Sequence, residues 1–131
     1  MSAENKELYR RYTRTLAHPD QIDDVVTQNF VAHDLPPHLP KGIEGLRAYR
    51  RAVMAAFPDQ VSEIQDLMAD GEKVSARLIL KGTHTADYAG IKASGKKIAV
   101  EVFEIVRIEN GKVAERWCLL DRAGLMQQLN G

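Results

Sequence analysis

Apolar residues in the first third of the chain recur at three- to four-residue spacing. Leu8, Tyr9, Tyr12 and Leu16 make one helical stripe, which His18-Pro19 interrupts because proline disfavours a helical residue before it. Pro19-Asp20 suits the first turn of a second short helix, with Ile22, Val25 and Val26 directed inward. Phe30 to Asp34 reads as a short strand, and the following LPPHLPKG, holding three of the five prolines, reads as an irregular loop. The spacing of Ile43, Leu46, Tyr49, Val53 and Phe57 predicts a third helix, closed by Pro58. The period then drops to 2. Val61 to Ala69 and Lys73 to Lys81 flank Asp70-Gly71, while Ile98 to Ile108 and Val113 to Leu120 flank Asn110-Gly111. Both dipeptides favour tight hairpin turns, so two antiparallel hairpins are expected. Leu125 and Leu129 predict a short C-terminal helix.

Helices first and long strands after them indicate an α+β fold, a curved antiparallel sheet whose concave face is covered by the helices. Such a cone can enclose a pocket. Neither a repeat nor a linker divides the chain, so residues 1–131 read as one domain. Eighteen basic against eighteen acidic residues give a formal net charge of zero, which offers no electrostatic attraction for nucleic acid or an anionic membrane. The charges within Ile98 to Ile108 break the longest apolar run well short of the roughly 18 residues of a membrane span. The start MSAENKELYRR has no apolar signal segment and Cys118 is the single cysteine, so a cytoplasmic location is expected.

Candidate chemistry begins on the last strand. Val113, Glu115, Trp117, Leu119 and Asp121 share one face, and Ala114, Arg116, Cys118 and Leu120 the other. A carboxylate beside an indole and a leucine loses solvation and becomes a better proton acceptor near neutrality, which makes Asp121 a candidate acid/base. Asp121 also directly precedes Arg122-Ala123-Gly124-Leu125, where an aspartate caps a helix by accepting a backbone N–H and holds its charge.

His84 lies at the start of a connection of about 16 residues that also carries Tyr88 and is long enough to border a pocket. His84 is either a group that orients or protonates a substrate oxygen or a hydrogen-bonded loop anchor. His33 can line the pocket, but His33 and Asp34 are adjacent in a strand and face opposite ways, so they do not form a simple base-and-orienter pair. Glu101 and Glu104 lie on opposite strand faces, so one is expected on the concave side, with Arg77 as a possible partner. The spacing of His18, His33, His38 and His84 builds no zinc motif, and no phosphate-binding glycine loop or GxSxG is present. No metal or cofactor is expected.

Taken together, FVAHD, GIEGLRAYRRAVMAAFPD, DGEKVSARLILKGTHTADYAGI, Gly95 and RIENGKVAERWCLLDRAGLMQQL resemble the SnoaL-like polyketide cyclases of the nuclear transport factor 2-like superfamily. The likeness runs from about Tyr9 to Leu129, AFPD, GTHT, NGK followed by ERW, and the aspartate before the last helix being its most specific parts. It implies a cone-shaped, cystatin-like α+β barrel. It further implies a cofactor-free intramolecular aldol cyclisation in which one aspartate removes a proton α to a carbonyl and then protonates the acceptor oxygen; Asp121 matches that residue. Trp117 and Phe103 would be apolar walls, His84 or His33 would orient a small apolar carbonyl compound, and Arg77, Tyr88 and Glu101 complete the expected binding set. The resemblance also implies a homodimer built on the outer sheet face. Two alternatives stand beside this reading. One is a non-catalytic ligand-binding or dimerisation module. The other is a hydrolase or isomerase of the same superfamily, whose epoxide hydrolases use an Asp-Arg-Asp group that Asp121 with Arg77 or Arg116 does not supply.

Overall fold

The computed structural model describes residues 2–130. Helix α1 (Ser2–Arg14) is followed by a 3-10 helix (Pro19–Asp24), strand β1 (Val26–Ala32), helix α2 (Ile43–Ala56), strands β2 (Val61–Asp70), β3 (Lys73–Thr83), β4 (Lys97–Glu109) and β5 (Lys112–Leu120), and helix α3 (Arg122–Asn130). The fold is α+β: one five-stranded curved sheet in the order β1-β5-β4-β3-β2, with the helices against it.

The two hairpins form at the turns the sequence marks. Asp70 pairs with Lys73 and Glu109 with Lys112, and Asn110 and Gly111 adopt φ of 52° and 74°, the left-handed pair that Asn-Gly tolerates. Two expectations need correction. The sheet is mixed, because β1 joins β5 in parallel, with Ala32 opposite Arg116. That strand also begins earlier than Phe30: Val26, placed by helical spacing in the second helix, is instead paired with Val113. Val26 and Phe30 are both buried, and four-residue spacing fits one face of a strand as well as a helix, so periodicity alone did not separate them.

Strand β3 alternates strictly, burying Val74, Ala76, Leu78 and Leu80. Across it β4 buries Val100, Glu104, Val106 and Ile108, so this face of the sheet is the concave one. Tyr9 and Tyr12 of α1, with Leu46 of α2, pack on one end of it, while Val53, Phe57, Leu125 and Leu129 pack on the other. Each fully buried aliphatic side chain among these contributes about 1.5–3 kcal/mol of transfer free energy. On α2 the inward stripe of Leu46, Arg50 and Val53 therefore carries a guanidinium into the interior. No helix among the described residues is long and apolar enough to cross a membrane.

Candidate active site

A cavity of about 90 Å³ lies between the concave face and helices α1 and α2. Leu16, Val53, Leu78, Leu80, Val102 and Leu120 make its apolar wall. Its polar lining includes Asp34, Tyr49, Arg50, Glu104 and Arg116, with exposed Arg122 at the first turn of α3. Pockets that take up a whole drug-sized molecule run to several hundred Å³, so this one is smaller than such a molecule needs.

Part of the polar side of the cavity is a hydrogen-bonded network centred on Arg116, with members from α1, β4, β5 and the segment after β1. Arg116 of β5 is 5% exposed and grips Asp34 with two bonds, Nε to Oδ1 at 2.9 Å and Nη2 to Oδ2 at 2.6 Å. Its Nη1 lies 3.5 Å from Glu104 Oε2 and donates to the Tyr12 hydroxyl at 3.3 Å. Glu104 in turn accepts from Tyr9 at 2.6 Å and from Tyr12 at 3.2 Å. A buried guanidinium with a carboxylate on two sides satisfies the requirement that interior charges be paired and hydrogen-bonded.

The titration behaviour follows from burial. Burial, then the charge of Glu104, raises both the Tyr9 and the Tyr12 hydroxyl well above the usual phenol range. Burial and the neighbouring Tyr88 hydroxyl raise Tyr49 likewise. All three phenols are therefore protonated hydrogen-bond donors throughout the physiological range. Burial also pushes the Cys118 thiol up to about 12, which leaves it a neutral neighbour and no nucleophile. Burial opposes the charge on Arg116, but Tyr12, Glu104 and Asp34 outweigh it and hold that guanidinium protonated.

The structure distributes the residues named from the sequence differently from expectation. On β5 the inward face is Arg116, Cys118 and Leu120, so Trp117, Leu119 and Asp121 lie outside. Asp121 is exposed, and its Oδ1 accepts the Gly124 backbone N–H at 2.9 Å: it is the cap of α3, and the desolvation expected from Trp117 and Leu119 does not occur. His33, Phe103 and Trp117 do share one depression, of about 460 Å³, with Ile105 and Leu119 of the outer face, and Asp34, Glu104 and Cys118 border both it and the cavity. There His33 stacks on Trp117 at 5.1 Å and its Nε2 lies 2.6 Å from Glu115. Of the two glutamates, Glu104 is the inward one, yet Arg77 pairs with the outward Glu101 at 2.8 Å and with Asp66 at 2.6 Å.

His84 is fully buried, with Nδ1 2.9 Å from Ser94 Oγ and its ring stacked on Phe57 at 5.5 Å. It lies beyond the cavity lining and anchors the connection between β3 and β4, where its backbone bonds Lys96 and Gly95. Tyr88 sits edge-on to Phe57 at 5.5 Å and touches the site through Tyr49. The carboxylate–arginine–carboxylate group that Asp121 does not provide is present after all as Asp34, Arg116 and Glu104. Sequence reasoning had set Asp34 aside as a partner for His33. The available signal is a lone charge on an otherwise apolar face: Glu104 on the strand face of Val100, Val102, Val106 and Ile108, and Arg50 on the helical stripe of Leu46, Val53 and Phe57.

Among the described residues no group of three or more His, Cys, Asp or Glu side chains could hold a metal ion. Comparison with solved structures gives TsrD from Streptomyces laurentii at 29% identity and a TM-score of 0.88, covering 97% of this chain and 95% of that one. A candidate polyketide cyclase from Bacillus cereus ATCC 10987 is 33% identical, with a TM-score of 0.84 over 97% of this chain and 80% of that one. IdmH, a candidate polyketide cyclase from Streptomyces antibioticus, shares the fold at 20% identity, with a TM-score of 0.84 over 97% of this chain and 99% of that one. No curated protein matches the chain. The family model for SnoaL-like polyketide cyclases matches residues 6–129, and with the concave-face cavity and the shared fold this establishes that the chain belongs to the SnoaL-like polyketide cyclase family.

Proposed function

We propose that the protein catalyses cofactor-free acid/base chemistry on a carbonyl compound, an intramolecular aldol cyclisation or a closely related step, inside the concave-face cavity. The observation that carries this reading is the Asp34–Arg116 pair beside protonated phenols and an apolar wall. Asp34 is the base: each oxygen accepts one bond from Arg116 and retains a lone pair. It takes the proton α to the carbonyl, and the enolate oxygen so formed accepts a hydrogen bond from the Tyr49 hydroxyl. The enolate carbon then bonds to the second carbonyl carbon, and Asp34 returns the proton to that oxygen. Dry, fixed donors aimed at a developing oxyanion are worth more than the same donors in water. Arg116 and Glu104 act by holding Asp34 in place.

The test is deuterium incorporation from D2O α to the carbonyl of small ketones, followed by proton NMR. Asp34→Asn is expected to lose roughly 10²–10⁴-fold in exchange rate, while Asp121→Asn retains it. Full exchange in Asp34→Asn with loss in Asp121→Asn would return the proton shuttle to Asp121. The carboxylate–arginine–carboxylate grouping also favours a second reading, in which Asp34 activates water to open an epoxide. Conversion of 1,2-epoxybutane to its diol, with no ketone exchange, would select it.

The same reading includes a homodimer. The outer face exposes Phe103, Ile105, Leu119 and Met68, framed by Arg77, Asp66 and Glu101 in mutual ion pairs. A patch carrying both signs of charge around an apolar centre is self-complementary across a two-fold axis. Sedimentation equilibrium is expected to give twice the chain mass, and Leu119→Lys the monomer mass. A monomeric wild type would refute the pairing.

A further inference from the structure

We propose that the cavity takes a ligand bearing a carboxylate, and that Arg50 is the group that receives it. This rests on the cavity being the substrate site, as proposed above. Arg50 is 4% exposed and lines the cavity, yet no carboxylate lies within ion-pairing distance of it among the described residues. Its Nη1 donates to the Tyr12 carbonyl at 3.3 Å and to the Thr15 hydroxyl, and its guanidinium carbon sits 4.6 Å over the Tyr12 ring. Its Nε–H is buried and has no acceptor. Asp34 and Glu104, the carboxylates of the lining, are both turned onto Arg116.

A buried cation carrying an unused donor costs free energy that tying α2 to the end of α1 does not require, because a neutral amide could make the same bonds. The lining as a whole holds three arginines, Arg50, Arg116 and Arg122, against two carboxylates. One anionic group of a ligand balances that set and supplies the acceptor that the Nε–H lacks. Arginine suits this task because its planar donors match two carboxylate oxygens. The substrate class is thus a carbonyl compound with a carboxylate a few bonds from the reacting carbon, short enough at that end for a cavity of about 90 Å³.

The probes are 4-oxopentanoate and its methyl ester, which differ in charge and share the ketone, with binding measured by isothermal titration calorimetry at neutral pH. Wild type is expected to bind the acid roughly tenfold or more tightly than the ester, the range of one charge-assisted hydrogen-bonded contact. Arg50→Met is expected to abolish that preference, and Arg50→Lys to restore part of it. The wild-type ratio needs no variant to fold. Equal binding of acid and ester, or no binding of the acid below about 10 mM, overturns the proposal. So does an acid preference that survives in Arg50→Met or disappears only in Arg122→Gln. Ketone exchange on the ester without acid preference overturns this inference and leaves the catalytic reading standing; acid preference without any exchange does the reverse.

Discussion

A Cβ placed on Gly124 would sit 2.2 Å from Asp121 Oδ2 and 2.8 Å from its carboxyl carbon. A methyl group there would take the volume that the capping carboxylate occupies. Gly124→Ala should therefore expel the cap, losing about 1 kcal/mol, while gaining about 0.8–1 kcal/mol of helix propensity. The two effects nearly cancel in the wild-type background. In Asp121→Ala, which has already lost about 1 kcal/mol with its cap, the same glycine substitution meets no carboxylate and should stabilise by about 0.8–1 kcal/mol. The coupling between the sites is thus about 1 kcal/mol, large enough to resolve in a double-mutant cycle. Urea unfolding of the four proteins, with a shared slope, measures it. Asp121→Asn, which preserves the capping acceptor, should lie within a few tenths of a kcal/mol of wild type. An equal gain from Gly124→Ala in both backgrounds would mean that the Asp121 carboxylate is not on the Gly124 N–H, and would reopen a place for it in the chemistry.

Two further outcomes follow from the buried network. Glu104→Leu strips the acceptor from Tyr9 and Tyr12 and one carboxylate from Arg116, so urea unfolding should register a loss of about 3–5 kcal/mol; Glu104→Gln, which keeps an acceptor, should lose less, and a Glu104→Leu protein within about 1 kcal/mol of wild type would refute the account of the network. Cys118, Tyr9, Tyr12 and Tyr49 all titrate higher in the folded chain than their ordinary values. The folded state thus binds their protons more tightly, and the stability they confer is whole below about pH 9 and is lost as pH rises from there through the folded values. Melting temperature should fall steadily from about pH 9 upward, with Cys118→Ala flattening the first part of the decline; an unchanged melting temperature to about pH 11 would contradict the burial of these groups.

Much of the architecture is legible without coordinates because it depends on near neighbours in the chain. Pro19 and Pro58 bound helices through local sterics, Asn110-Gly111 sets a hairpin through its own φ angles, and period-2 alternation gives β3 and β4 their two faces. The capping of α3 by Asp121 is of the same kind, since its bond reaches only three residues ahead. β1 escaped because Val26 and Phe30, four apart, satisfy either period, and only its distant partner Val113 decides between them.

The site was decided by tertiary structure. Alternation says which residues of β5 share a face but not which face turns inward. Trp117 and Leu119 made the outer face look like the buried one. What selects Arg116 for the interior is the pair of carboxylates waiting there, each 12 residues away or more: Asp34 lies 82 residues distant in sequence, and Glu104, though only one hairpin away, is itself held by Tyr9 across 95 residues. A charge enters the core only where such partners converge to replace its hydration. Residue types along the chain determined the sheet, the helices and the turns; the convergence of Asp34, Arg50, Glu104 and Arg116 exists only once the cone has closed around them.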